Sequence, residues 1–311
     1  MTITTSHQSV MLREAIEALN IIPEGVYIDA TFGRGGHSHE ILQKLNEHGR
    51  LFCLDKDPEA IAFGQHRFRD DKRVTFVHQC FGDLTTIAHD CGIATKANGI
   101  LLDLGVSSPQ LDEASRGFSF MRDGPLDMRM DPTKGPSAKE WVNTASQEDI
   151  IYVLKKFGEE SFAKRIARNI AEARTIKTIE TTLELAHIVE RCIPRQKIGR
   201  HPATKTFQAI RIHINRELQA IEQALAGAMR ILAPGGRLVV ISFHSLEDRM
   251  VKQFFNGQSK VKLPKGIALP EKDLKTPFKW VIKRQRPSED EVNLNQRSRS
   301  ATLRVAEKNT L

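Results

Sequence analysis

The sequence predicts an α/β fold: an open parallel sheet with helices on both faces, interrupted by an inserted all-helical subdomain. Three observations predict it. Four short β-rich apolar runs begin 25, 23 and 25 residues apart, which leaves room for one helix between successive strands. A fifth run begins 138 residues after the fourth, where a crossover of about a dozen residues would suffice. The segment between them carries helical period rather than strand alternation.

In chain order, the runs are Val26–Ala30, Leu51–Asp55, Val74–His78, Gly99–Leu104 and Arg237–Ser242. Their near-continuous apolar character is that of strands buried on both faces. Ser38–Leu45 and Pro58–Phe68 read as connecting helices. From Glu140 to Ala233 the sequence is helical, with capping signals at Ser146/Asp149 and Thr181/Glu184. Its clearest stretch places Phe207, Ile210, Ile214, Leu218, Ile221, Leu225, Met229 and Leu232 at steps of 3 or 4, and Pro234-Gly235-Gly236 is expected to stop it. Two last candidate strands, Lys279–Lys283 and Ala301–Val305, are expected to pair antiparallel at a sheet edge. The expected organisation is a sheet domain over 1–110, a helical insertion over 111–215, and a second sheet portion with a basic tail over 216–311.

A chain of 311 residues with 40% hydrophobic and 27% charged residues is globular rather than disordered. No apolar run approaches the roughly 20 residues of a membrane span. Cys53, Cys80, Cys91 and Cys192 lack any C-x-x-C spacing, which argues against a zinc ribbon or disulfide scaffold; reduced thiols and a cytoplasmic location are the expectation. The histidines form no metal-ligand pattern, so no metal is expected. Charge is segregated: residues 1–160 carry −7, 161–216 carry +8, and 257–311 carry +7. The basic half suits a polyanion, since neutralising phosphates releases counterions. It equally suits a solvated surface.

The first run leads into Asp29-Ala30-Thr31-Phe32-Gly33-Arg34-Gly35-Gly36-His37. Glycines between a strand and a helix let a ligand reach the backbone and free amides. The second run ends at Asp55, 20 positions after Gly35, where a carboxylate can take both ribose hydroxyls. Together they point to an adenosine-type cofactor. Ser38 replaces the last glycine of a dinucleotide fingerprint, and no G-x-x-x-x-G-K-[ST] occurs. Spacing alone therefore leaves S-adenosylmethionine and a nicotinamide dinucleotide open, while a noncatalytic RNA-binding or ribosome-assembly module needs neither. The fourth run ends in Asp103 and is followed by Ser107-Ser108-Pro109-Gln110. Arg116–Asp131 is rich in Gly, Arg, Met and Phe, a composition found in ligand loops and in packed ones. Ser245 with Asp248 reads as a helix cap.

The segments Asp29–Ser38, Leu102–Asp112, Arg116–Asp131, His201–Arg211 and Leu232–Asp248 resemble those of the MraW (RsmH) family. Members are bacterial enzymes that use S-adenosylmethionine to methylate the N4 of a decoding-centre cytosine in 16S ribosomal RNA. The resemblance spans His7 to Lys308 and implies a class I, Rossmann-like methyltransferase sheet with a helical insertion. Lys205 stands where the family pattern has Arg, and Gln296 and Thr302 where it has Pro and Lys, departures that bear on RNA contact rather than on the reaction.

Carried over, the resemblance implies cofactor contacts at Gly35, Gly36, His37, Asp55, Phe81, Asp103 and Gln110. The sequence alone allows Asp83 in place of Phe81. Many amino-methyltransferases use a D/N/S-P-P-Y/F motif; here Asp103 with Ser107, Ser108 and Pro109 is expected to align the amine. A flipped base calls for an aromatic platform, with Phe118, Phe120 and Phe243 as candidates. Lys164, Arg165, Arg168, Arg200, Lys205, Arg211, Arg297 and Arg299 are the expected RNA-binding side chains. The expected partner is 16S rRNA within the small ribosomal subunit, with no membrane involved.

Overall fold

The computed structural model describes residues 9–194, 201–259 and 276–310. The chain divides into two compact units, Met1–Gly105 with Leu218–Leu311, and Val106–Glu217.

The first unit opens with α1 (Leu12–Leu19), β1 (Val26–Asp29), α2 (Gly36–Lys44), β2 (Arg50–Asp55), α3 (Pro58–Arg67), β3 (Val74–His78), α4 (Leu84–Asp90) and β4 (Ala97–Asp103). The helical unit contains α5 (Ser108–Asp112), α6 (Ala138–Thr144), α7 (Gln147–Gly158), α8 (Ala163–Ile176), α9 (Thr182–Glu190) and α10 (Thr204–Asn215). Then follow α11 (Glu217–Ile231), β5 (Leu232–Ser242), α12 (Ser245–Gln258), β6 (Phe278–Gln285), α13 (Glu289–Leu294) and β7 (Thr302–Lys308).

Among the described residues seven strands form one sheet in the order β3-β2-β1-β4-β5-β7-β6. The first five are parallel; β7 runs antiparallel to β5, and β6 antiparallel to β7. This is the class I methyltransferase arrangement that the resemblance implies. The last strand of the chain lies inside the sheet, between β5 and β6, rather than at its edge. Side chains alternate across it as a pleated strand requires. Ile28, Leu54, Ile100, Leu102 and Val240 face α4, α11 and α12. Tyr27, Leu51, Cys53, Leu101, Val239 and Leu303 face α1, α2 and α3. Both faces of the central strands are therefore covered, while the outer strands β3 and β6 keep exposed positions such as Thr75, Lys279 and Lys283.

The helices start where the sequence supplies caps. Asp57 accepts from the Glu59 amide ahead of Pro58 in the first turn of α3, Ser146 accepts from Asp149, and Thr181 and Glu184 form a reciprocal box. Three local expectations need correction. The long helical stretch is broken at Arg216, whose φ of 52° is left-handed. There the Asn215 side chain bonds the Met128 carbonyl and the Met130 amide as well as the Arg211 carbonyl of its own helix. Pro234-Gly235-Gly236 lies within β5, as a bulge where the register with β4 slips between Leu232 and Arg237. The cap of α12 is His244 with Glu247, one residue ahead of Ser245, because Asp248 is held by Arg304 at 2.7 Å.

Candidate active site

In an open α/β sheet the chain departs in opposite directions on either side of a switch point, and ligands bind outside the strand ends there. Here that point lies between β1 and β4. The sheet unit brings its chemistry-bearing residues to that edge. Gly33 and Gly35 take φ of 55° and 70°, and Gly35 is the N-cap of α2. A side chain at Gly35 would also meet the Phe32 ring at 2.6 Å, so glycine is required twice over.

Asp55 closes β2 and stabilises the turn from the side: one oxygen accepts from the Gly33 amide at 2.8 Å and the other from the Asp57 amide at 2.9 Å. Each carboxylate oxygen has two acceptor sites, so both keep one for a ribose hydroxyl. Asp29, at the end of β1, accepts from the Ser38 hydroxyl at 2.6 Å and ties α2 to the sheet. Asp103 ends β4, where its amide donates to the Thr31 hydroxyl at 2.7 Å. Its carboxylate lies 3.8 Å from the His37 ring. Among the described residues neither Asp103 Oδ1 nor His37 Nε2 has a hydrogen-bond partner, although both atoms are buried.

Burial sets the protonation of this edge. It lifts Asp55 to about 6, against the opposing amide bonds and helped by Asp57 and Asp29. It lifts Asp29 to about 6, against the Ser38 and Thr31 bonds. It pushes Asp103 well above the carboxylate range, with Asp29, Glu247 and Glu291 adding repulsion. Burial also drops His37 to about 4, against its bond to the Val10 backbone, so the ring is neutral at pH 7 and does not offset the acids. An edge with several buried carboxyls, two orphaned polar atoms and a side-chain-free backbone fits a ligand that combines a ribose with positive charge. S-adenosylmethionine, with its sulfonium and ammonium groups, has that chemistry.

Phe81 follows β3 and packs partly against the sheet core, whereas Asp83 is exposed. Thr31 and Ser38 were not singled out from the sequence. A hydroxyl near a glycine turn is too common a signal, and only the fold shows each one bonding a strand-end aspartate.

The helical unit contains the other expected residues. Ser107 caps α5, and its amide donates to the Gln110 side chain at 3.0 Å, which gives the buried Gln110 a structural bond within its own turn. Ser108 and Pro109 are the first helical residues. Lys164, Arg165 and Arg168 are exposed on α8, and Lys205 on α10 reaches back to the Glu159 carbonyl at 3.0 Å. Arg211 corrects its expectation: it is largely buried and forks onto Glu217 with two 2.8 Å bonds, so its charge is spent inside the unit. Arg200 lies outside the described residues. Arg297 and Arg299, in the sheet unit, are exposed on a 3₁₀ turn over Gln296–Ser300.

The aromatic platform also changes. Phe118 belongs to the helical core with Leu126 and Met128. Phe120 stacks on His201 with centroids 4.2 Å apart and meets Phe207 edge-on. The Arg116–Asp131 loop is knit by Arg116 bonds to the Arg129 and Met130 carbonyls and by the Arg129–Asp127 fork. Phe243, in the sheet unit, follows β5 and is half-buried.

Comparison with known proteins bears on this geometry. Residues 4–309 match the model of the MraW methylase family. A ribosomal RNA small subunit methyltransferase H of Chromohalobacter salexigens is 52% identical over 304 residues, covering 97% of this chain and 91% of that protein. One of the same name from Coxiella burnetii is 52% identical over 303 residues, covering 97% and 99%. A crystal structure of an rRNA methylase from Streptococcus thermophilus aligns over 98% of this chain and all of that one, with 13% identity and a TM-score of 0.40.

Proposed function

The chain belongs to the MraW methylase family, and from that premise we propose that it methylates the exocyclic N4 of a cytosine in the decoding centre of 16S ribosomal RNA. At the coarser level it is an S-adenosylmethionine-dependent methyltransferase of small-subunit ribosomal RNA, like the relatives whose names it matches over 97% of its length. What carries the finer reading from geometry is the buried, unpartnered Oδ1 of Asp103 at the end of β4, beside the glycine turn.

Bound at that edge, S-adenosylmethionine supplies an electrophilic methyl group on a positively charged sulfur. The rest falls to the protein. Cytosine N4 is a weak nucleophile because its lone pair is delocalised into the ring, so it has to be held in line and relieved of a proton. Asp55 holds the ribose hydroxyls, and Gly35–His37 presents backbone without side chains. Asp103 accepts a hydrogen bond from the amino group. The Ser107–Pro109 turn, only a few residues further along the chain, completes the alignment. Near-attack geometry of this kind is worth on the order of 7 kcal/mol or more of a barrier.

Lys164, Arg165 and Arg168, with Lys205, Arg297 and Arg299, contact RNA phosphates. They position the strand without reading its sequence. The substrate on this reading is 16S rRNA within the small subunit. Among the described residues no helix is long and apolar enough to cross a membrane, and all four cysteines are free, which agrees with a protein working beside ribosomes in the cytoplasm.

The test is transfer of radiolabelled methyl from S-adenosylmethionine to small subunits purified from cells lacking this protein, followed by nucleoside mass spectrometry. N4-methylcytidine is the expected product. A methylated nucleoside of another kind would replace the acceptor atom, and no transfer by a protein that binds the cofactor would overturn the proposal.

A further inference from the structure

The cofactor edge is not bounded by the glycine turn alone. Residues 9–11 cross the first turn of α2. The position a Cβ would take on Gly36 lies 2.0 Å from the Ser9 hydroxyl oxygen and 3.2 Å from its Cβ. The next residue, Val10, receives the His37 ring at its backbone. Met11 is fully buried and sits at φ 50°, ψ 38°, a left-handed conformation uncommon for a residue with a side chain. Val10 and Met11 share one apolar cluster with Ile41 and Leu42 of α2. A residue held in an unfavourable backbone region persists only where its surroundings over-determine it, and here the determinant comes from the far end of the chain. The Met11 amide donates to Glu291 Oε1 at 2.7 Å, a bond between residues 280 positions apart.

We propose that Glu291 is a positioning residue for the cofactor: by holding the Met11 amide it seats Ser9–Met11 as a strap on the start of α2, and so fixes the Gly35–His37 backbone that receives S-adenosylmethionine. The inference rests on the site reading above and extends it to a residue that no glycine-turn motif contains. The carboxylate does two jobs at once. It accepts the amide that ends the left-handed turn, and it stands among the acids that crowd Asp103. The strap in turn occupies the space that a side chain on Gly36 would claim, which gives that glycine a reason beyond ligand approach.

The experiment measures S-adenosylhomocysteine binding to the full chain by stopped flow and calorimetry, with hydrogen exchange of the peptide covering residues 9–15 as a second readout. Glu291→Ala should release the ligand about tenfold faster, the scale of losing one bond to a charged group, and should expose the Met11 amide to exchange. Glu291→Gln keeps an acceptor oxygen and should stay within about twofold of the native rate. Gly36→Ala should weaken binding about threefold by crowding Ser9, and Ser9→Gly in the same chain should restore it. That pair does not touch Glu291, so it tests the seat of the strap on α2 even if Glu291→Ala fails to fold. The strap is overturned if Glu291→Ala binds and releases like the native chain, if Glu291→Gln is no better than Glu291→Ala, or if Ser9→Gly fails to rescue Gly36→Ala. Asp55→Ala separates the two levels: native-like binding by that variant sinks the site reading itself, while lost binding there with an unaffected Glu291→Ala sinks the strap alone.

Discussion

The helix starts of the helical unit and the glycine-turn edge of the sheet unit finish their polar groups in different ways. At the helix starts and the two arginine forks of the helical unit the partners are near in sequence: Ser137 with Glu140, Ser146 with Asp149, Thr181 with Glu184, Asp127 with Arg129, Arg211 with Glu217. At the glycine-turn edge of the sheet unit they are remote: Gly33 with Asp55, Thr31 with Asp103, Met11 with Glu291. Even then, buried atoms of Asp103 and His37 are left without a partner among the described residues. Local pairing completes a structure by itself. Remote pairing that ends in orphaned groups marks a place built for something else to bind, since an unpaired buried polar group costs about 1–3 kcal/mol.

The contrast can be broken or sharpened by substitution. The largest effect belongs to Asp103→Ala, which should lower turnover about a hundredfold or more at saturating cofactor with an unchanged circular dichroism spectrum. Near-native turnover would remove the distinction between a working edge and a merely polar one. Next is Ile166→Ala in the fully buried core of α8, which should cost the helical unit about 2–5 kcal/mol in a denaturant titration while S-adenosylhomocysteine affinity stays within about twofold. A parallel loss of affinity would mean that the units are not energetically separate.

A pH series probes the sheet unit alone. Asp29 titrates at about 6 when folded and near the ordinary aspartate value when unfolded, so the folded chain binds its proton more tightly. The stability this brings is complete below about pH 4 and is lost as pH rises through about 6. Asp29→Asn keeps an acceptor for Ser38 but cannot ionise. The native chain should therefore lose up to about 3 kcal/mol relative to that variant between pH 4 and 7, read as a difference in unfolding free energy. A pH-independent difference would show that Asp29 is not strained by burial.

The salt dependence of RNA affinity tests the outer face of α8. Neutralising Lys164, Arg165 and Arg168 together should flatten the slope of log affinity against log salt by about 2. An unchanged slope would return those cations to the solvent. The smallest expected effect is Thr181→Ala, about 1 kcal/mol of unfolding free energy through the lost cap of α9, with cofactor affinity untouched.

The same contrast explains what could be read from the sequence. The five parallel strands and the caps at Ser146 and Thr181 were legible because run length and capping residues are local signals. The inward position of β7 was not, because nothing within Thr302–Lys308 says which neighbour it will find. At the edge, the glycine turn and Asp55 announced themselves by type and spacing. Thr31, Ser38 and Glu291 did not, since their partners are set only by the packing of the sheet. Arg211 misled for the converse reason: a basic residue in a basic stretch reads as surface until Glu217 is seen to take it.

The placement of β7 carries a consequence for how the chain comes off the ribosome. The helical unit is one continuous stretch, so its residues have all been synthesised once Glu217 has been made. The sheet cannot close then. β4 waits for β5, and β5 waits for residues 302–308, which are made only after the whole helical unit. Domains fold as units during synthesis, and non-local strand pairing is slow. The helical unit should therefore be the first part of this protein to become protease-resistant on arrested nascent chains, while the sheet stays incomplete until residues 302–308 have been made.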